Sequence, residues 1–347
     1  MSNSYRKGDK KSNGAKGKLK KSVISVIVTA AVMVAIIISL LITNIFIPVK
    51  YLSAYCVKPH KNRKGTLRVN YLNVDFGDCT LIELPDGKSI LIDGGDGAYP
   101  NMLRVLKFLN YRGIDKIDYL VCTSVKSEHC GGLAEIVKYK EVGFAYVPYC
   151  LNTRINSEFH SFISELNRKS VPCEYACVGE SIVGDDYFFT FLSPTNYLSP
   201  YGEYAALNSD PNIRSIENAS AVTWLEYDGV SFAFTSDIRA EGLERIVEEY
   251  NASVALGQPY CPAEDWSVAL ENCKIVTAPA HAGGENTYAP WYDLTKPEQA
   301  IISVGKSYAG YPSAQALSDI CNYCQPKYTM YDGNITVIVK DGGYTIN

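Results

Sequence analysis

The chain has 347 residues, 47% of them hydrophobic and 20% charged, a balance that suits one large or two ordinary globular domains and excludes a disordered or low-complexity chain. Its net charge of −4 is unevenly spread, because the first 21 residues hold eight basic side chains against the single acid Asp9, about +7, leaving about −11 for the remainder. A body this acidic repels polyphosphate, so long nucleic acid is a disfavoured partner.

The basic tail, residues 1–21, leads into an uncharged, almost wholly apolar run over 22–49. About 20 apolar residues span a bilayer as helix, and this run is longer than the core of a cleavable signal. It reads as one transmembrane helix, with a cleaved secretion signal as the weaker alternative. The basic residues precede the span, so the expected orientation puts the N-terminus in the cytoplasm and the body outside a single-pass cell-membrane anchor. Residues 50–65 are polar and basic and read as a linker, and 66–347 as the body.

Within the body, 67–74, 80–84 and 89–92 read as strands, the last two joined by the Pro85-Asp86-Gly87 turn. Apolar spacing predicts a helix over 99–110, a buried strand at 119–122 and helices over 132–140 and 157–169. A strand at 187–192 precedes a hairpin, 221–227 and 230–235, around Asp228-Gly229. An acidic amphipathic helix follows at 240–250, strands at 274–278 and 300–304, a helix at 313–321, and a last hairpin, 328–331 with 335–339, turning at Asp332-Gly333. Strands dominating early and helices interleaving later suit two sheets packed face to face with helices outside. Of the eleven cysteines, Cys173/Cys177 and Cys321/Cys324 are the close pairs. Disulfides or buried inert thiols account for them better than a four-thiolate zinc site, because the spacings are unequal and the pairs lie far apart.

The run from Leu72 to Gly95, LNVDFGDCTLIELPDGKSILIDGG, followed by IDYLVCTSVKSEHCGGL from Ile117 to Leu133, resembles the metallo-β-lactamase superfamily, and within it the extracytoplasmic hydrolase-like domain of ComEC competence proteins. Asn218 to Val222, Phe234 to Asp237, Ala278 to Gly283 and Ser303 to Gly305 match later motifs of that family in order, so the resemblance covers about 280 residues. It implies an αββα sandwich and a divalent-metal hydrolase acting on phosphodiesters, with smaller esters, nucleotides and envelope fragments left open by the acidic body. Ser124 replaces the first histidine of the family's Thr-His motif, and Lys126 stands at another frequent ligand position. Glu128, His129, Asp237 and His281 remain at the second metal's positions. The resemblance thus implies one surviving two-histidine, two-carboxylate centre, with Glu128, Lys126 and Asp78 as the catalytic groups and the Lys126 ammonium offsetting carboxylate charge.

Zinc fits these donors, as do iron and manganese. The contrasting expectation is a non-catalytic binding or scaffold module that binds no ion. Asp93, before Gly94-Gly95, reads as a structural acid bonding the glycine turn, and His60 and His160 as ordinary surface residues.

Overall fold

The computed structural model describes residues 11–46, 49–60, 64–151, 156–196, 198–306 and 310–347. The first ten residues of the basic tail and linker residues 61–63 therefore lie outside the described residues. The chain divides into two compact units, Met1–Ser53 and Ala54–Asn347.

The first unit contains helix α1 (Lys11–Phe46), which starts well before the apolar run and leaves Val26, Ile27, Val32 and Ile37 exposed. Among the described residues, no helix is long and apolar enough to cross a membrane.

The second unit opens with β1 (Leu67–Tyr71), β2 (Thr80–Glu83) and β3 (Ser89–Ile92), then α2 (Tyr99–Arg112), β4 (Lys116–Val121), α3 (Ser127–Cys130), α4 (Leu133–Tyr139), β5 (Glu141–Val147), α5 (Ser157–Arg168) and β6 (Cys173–Tyr175). Next come β7 (Ser181–Val183), β8 (Tyr187–Ser193), α6 (Glu203–Ser209), α7 (Ile213–Asn218), β9 (Val222–Tyr227), β10 (Val230–Phe234), α8 (Ala240–Ala255), β11 (Tyr260–Ala263), β12 (Trp266–Val268) and β13 (Ile275–Thr277). The unit closes with α9 (Ala289–Thr295), β14 (Gln299–Ile302), α10 (Ala314–Cys321), β15 (Lys327–Tyr328), α11 (Thr329–Asp332), β16 (Ile335–Lys340) and β17 (Gly343–Ile346). Local chemistry marks several boundaries. Pro100 opens α2 and the left-handed Gly113 closes it, while Asn156 caps α5 by accepting from the Phe159 amide.

Among the described residues two large sheets result, in the orders β17-β16-β1-β2-β3-β4-β5-β6 and β15-β14-β13-β10-β9-β8-β7, with β11 and β12 forming a separate two-stranded ribbon. Alternation along each strand builds two cores. Phe189 and Phe191 face the inter-sheet core with Val69, Ile82, Ile90, Phe232 and Val337. Phe188 and Leu192, one step out of phase, pack with Leu243 and Ile246 of α8, Trp291 of α9 and Ile320 of α10. Two sheets packed face to face, with α8, α9 and α10 on the outer face of the second, are what these cores describe, in line with the expected layering of an α/β architecture.

The last hairpin differs from the sequence expectation. Only Lys327–Tyr328 is strand before the short helix α11, whose Asp332 accepts from the Tyr328 amide at 2.8 Å. The terminal turn lies instead at Asp341-Gly342, with φ of 53° and 74°, the paired left-handed geometry of a tight hairpin. Strand β5 (Glu141–Val147) and the short elements β6, β7, α6, α7 and α9 were not anticipated from the sequence. Neither close cysteine pair is bridged: Cys173, Cys321 and Cys324 carry free thiols, and Cys79, Cys122, Cys130 and Cys273 are buried thiols.

Candidate metal centre

Strands β3 and β4 run parallel, as do β10, β13 and β14, so the loops that leave them open on a common edge. The loops after β1, β3 and β4 touch backbone to backbone, which explains their glycines. A Cβ on Gly77, at φ 130°, would fall 2.3 Å from the Glu128 carbonyl oxygen, and one on Gly132 would fall 2.1 Å from that of Gly94. In the space so spared, the Asp78 amide donates to the Glu128 carbonyl at 3.2 Å and the Gly94 amide to the His129 carbonyl at 2.8 Å.

At the centre His129 is fully buried and His281 is 3% exposed. Each imidazole is held by its Nδ1. His129 Nδ1 lies 2.8 Å from Asp93 Oδ2, and Asp93 is fixed in turn by the Thr123 amide at 2.8 Å and the Thr123 hydroxyl at 2.5 Å. His281 Nδ1 donates to the Ser303 carbonyl oxygen at 2.7 Å. Both Nε2 atoms consequently face inward, where they are buried without an aligned hydrogen bond, as is Asp237 Oδ1. His129 Nε2 is 3.1 Å from Asp237 Oδ2, and His281 Nε2 is 3.5 Å from Asp237 Oδ1. Donor atoms of Asp78, His129 and His281 lie within 4.8 Å of one another.

Backbone strain accompanies this convergence: Asp93 (φ 60°), Ser236 (φ 49°) and the consecutive Ala280, His281 and Ala282 (φ 40°, 57°, 64°) all adopt the left-handed region. Such conformations persist only where the surroundings enforce them. Ser236 stands where the resembling family has glycine, and its hydroxyl lies 2.6 Å from that of Thr123. Phe76 covers His281, ring centroids 4.4 Å apart.

Lys126 shares the Asp237 Oδ2 oxygen with His129. Its Nζ is 2.6 Å from Asp237 Oδ2, 2.9 Å from Glu128 Oε1 and 3.3 Å from Glu217 Oε1, while Arg239 holds the second Glu217 oxygen at 2.9 Å. Charges in this buried network set one another's protonation. Burial opposes the His129 imidazolium, yet Asp237 and Asp93 hold its pKa well above the ordinary histidine value. Burial likewise opposes the Asp237 carboxylate, but His129, His281 and Lys126 hold its pKa well below the usual carboxylate range. Burial pushes the Asp78 carboxyl up, with His281 and His129 acting against it. For Glu128 the desolvation is outweighed by Lys126, and its pKa is lowered.

Of the residues anticipated from sequence, Asp78, His129, Asp237 and His281 are therefore brought together, and Lys126 adjoins them. Asp78, His129 and His281 form the cluster of mutually close donors, Asp237 contacts both imidazoles beside it, and the Glu128 carboxylate is turned to Lys126 instead. Asp93 bonds Thr123 and His129 rather than the glycine turn. Glu217, Arg239 and Ser303 were not anticipated. Glu217 precedes the matched Asn218-Ala219-Ser220 run, but nothing in its spacing announces a partner 91 positions away. His60 and His160 lie outside the cluster.

The donors fit a divalent cation. Two imidazoles with Nδ1 engaged and Nε2 turned toward two carboxylates are the arrangement in which outer partners orient metal-binding histidines.

No family model matches the chain. It is similar to ComE operon protein 3 of Bacillus subtilis, 22% identical over 254 residues that make up 69% of this chain and 28% of that protein, so the chain spans little more than a quarter of that relative's length. Among solved structures it is similar to a metal-dependent hydrolase of the β-lactamase superfamily, at 10% identity and a TM-score of 0.45, covering 79% of this chain and 100% of that one. It is also similar to the metallo-β-lactamase fold protein YhfI from Bacillus subtilis, at 8% identity and a TM-score of 0.40, covering 75% and 95%. The resemblance read from the ordered motifs and the curated relative point the same way, to a likeness with a ComE operon protein over 69% of this chain.

Proposed function

We propose that the chain is a membrane-anchored, extracytoplasmic hydrolase of metallo-β-lactamase type, acting on phosphodiesters or esters at a centre for one divalent ion. The observation that carries this reading is the meeting of two Nδ1-anchored imidazoles whose buried Nε2 atoms lie 3.1 and 3.5 Å from Asp237, with Asp78 donor atoms within 4.8 Å of theirs. His129, His281, Asp78 and Asp237 would hold the ion, zinc by donor type. An ion so held acidifies a bound water and polarises a carbonyl or phosphoryl oxygen.

The remaining steps belong to the chain's own groups. Asp93 and the Ser303 carbonyl fix the ring orientations. Phe76 screens one face of His281 from water, which strengthens charge interactions beneath it. The acidic body favours small esters, nucleotides or envelope fragments over long nucleic acid. The apolar run continuing α1 supports membrane anchoring with the basic tail in the cytoplasm.

One observation favours a second reading, a non-catalytic binding module: the Lys126 ammonium already neutralises Asp237 and Glu128. Elemental analysis of the full chain purified in detergent, before and after chelation, separates the two. The hydrolase reading expects about one equivalent of divalent metal, removed by chelator and absent from His129→Ala and His281→Ala, together with cleavage of bis(4-nitrophenyl) phosphate by the loaded protein. A chain that takes up no metal on reconstitution, or keeps the same content in both variants, defeats it.

A further inference from the structure

Helices α6 and α7, together with Arg245 of α8, wall a cleft of about 470 Å³ to which none of the clustered histidines and carboxylates contributes. Its size is that of a small-molecule site. Every charged side chain on its walls is answered from within the chain. Arg245 pairs with Glu203 at 2.7 Å and with Glu249 at 3.0 Å, and Arg214 pairs with Glu241 at 2.8 Å. The other Glu203 oxygen accepts from the Thr195 amide at 3.0 Å and its hydroxyl at 2.6 Å, and Asp210 accepts from Asn212 Nδ2 at 2.9 Å. An ionic ligand would therefore have to break an existing pair to be recognised.

The groups left open are neutral. Asn218 ends α7 on the cleft wall, and its Oδ1 is buried with no hydrogen bond. Such an acceptor lacks the partner that nearly all buried polar atoms have, and only a donor brought from outside the chain supplies one. At the rim Tyr201 is 97% exposed, offering a flat apolar face with a polar tip. A carboxamide both accepts and donates, so it is complementary to another amide. Beside an uncovered aromatic face, that pattern matches a sugar ring bearing an acetamido group.

We propose that this cleft binds a neutral N-acetylhexosamine unit, with Asn218 pairing to the acetamido group and Tyr201 stacking on the C–H face of the ring. Sugars without the amide leave Asn218 Oδ1 unmet, and phosphorylated ones find no free cation. The inference does not rest on the hydrolase reading, because no residue of the cleft needs a metal.

The test measures binding of N,N′,N″-triacetylchitotriose to the chelated full chain in a sugar-free detergent, by saturation-transfer NMR and titration calorimetry. Maltotriose and N-acetylglucosamine 6-phosphate serve as comparators. Chitotriose is expected to bind at least about tenfold more tightly than either, the value of one hydrogen bond that the others fail to make. Tyr201→Ala is expected to weaken it by about tenfold, while Tyr201→Phe binds as the parent does. Asn218→Leu is expected to erase the preference for chitotriose over maltotriose. Absence of chitotriose binding overturns the proposal, as do equal affinity for maltotriose, tighter binding of the phosphorylated sugar, or an affinity untouched by Tyr201→Ala. Should Asn218→Leu fail to fold, the Tyr201 pair, altered only at the exposed rim, still decides. A parent that binds chitotriose but takes up no metal sinks the hydrolase reading alone, and the reverse result sinks this proposal alone.

Discussion

Asp93 accepts from both the amide and hydroxyl of Thr123 and also engages His129, so it acts on the centre through another residue's ring. Asp93→Asn removes that orientation and is expected to weaken divalent-metal binding by about 10- to 100-fold, the usual cost of losing such a partner, with the fold retained by circular dichroism. Protonation at this scale has a definite sign. The raised His129 pKa means that its ion pairs stabilise the metal-free chain fully below about pH 6.5, the ordinary histidine value, and lose that contribution as pH rises through the higher folded value. The lowered Asp237 pKa contributes stability above the ordinary aspartate value of about 3.9 that disappears as pH falls through the folded value. Because a metal must displace the His129 proton, metal affinity measured by titration calorimetry is expected to climb with pH through neutrality, with proton release. Affinity independent of pH would contradict His129 as a ligand.

At the scale of elements, the loops rather than the strands carry the tightest constraints. Gly77 combines a φ of 130° with a carbonyl oxygen 2.3 Å from any added Cβ, so Gly77→Ala must displace the loop after β1 from the one after β4. It is expected to destabilise by at least about 2 kcal/mol, given ordinary strain costs of 1–3 kcal/mol, and to lower metal retention with it. Across the first sheet, Glu83 of β2 and Arg112 of α2 form a paired contact, Nε–Oε1 at 2.7 Å and Nη2–Oε2 at 3.0 Å, both side chains 4% exposed. Glu83→Ala leaves the guanidinium buried without its carboxylate and is expected to cost about 3–5 kcal/mol in denaturant unfolding. A loss below 1 kcal/mol would mean that water reaches Arg112 in the folded state. The strands of the meander and the Asp228-Gly229 hairpin were legible because alternation and turn residues are local signals. The terminal hairpin was misplaced because Asp332-Gly333 and Asp341-Gly342 are equal as turn sequences, and only pairing of β16 with β17 selects between them.

For the whole molecule, the long apolar run and the basic residues before it predict that the chain stays with membranes through alkaline carbonate washing. Protease added to intact spheroplasts is expected to digest the Ala54–Asn347 unit while sparing the N-terminal tail. Release by carbonate, or a protected body, would overturn the anchored, outward-facing topology. The two-sheet layering could be anticipated from the chain alone, because hydrophobic alternation is written over short spans, and the motif resemblance pointed to His129, Asp237 and His281, which the fold brings near one another. The choice of Asp78 over Glu128 among the clustered donors could not, nor could the recruitment of Glu217, Arg239 and the Ser303 carbonyl. Adjacent positions along a backbone point their side chains in different directions according to how each loop is strained, and partners separated by about a hundred residues meet only after both sheets have packed. Which carboxylate faces the imidazoles and which faces the ammonium is therefore decided by tertiary structure.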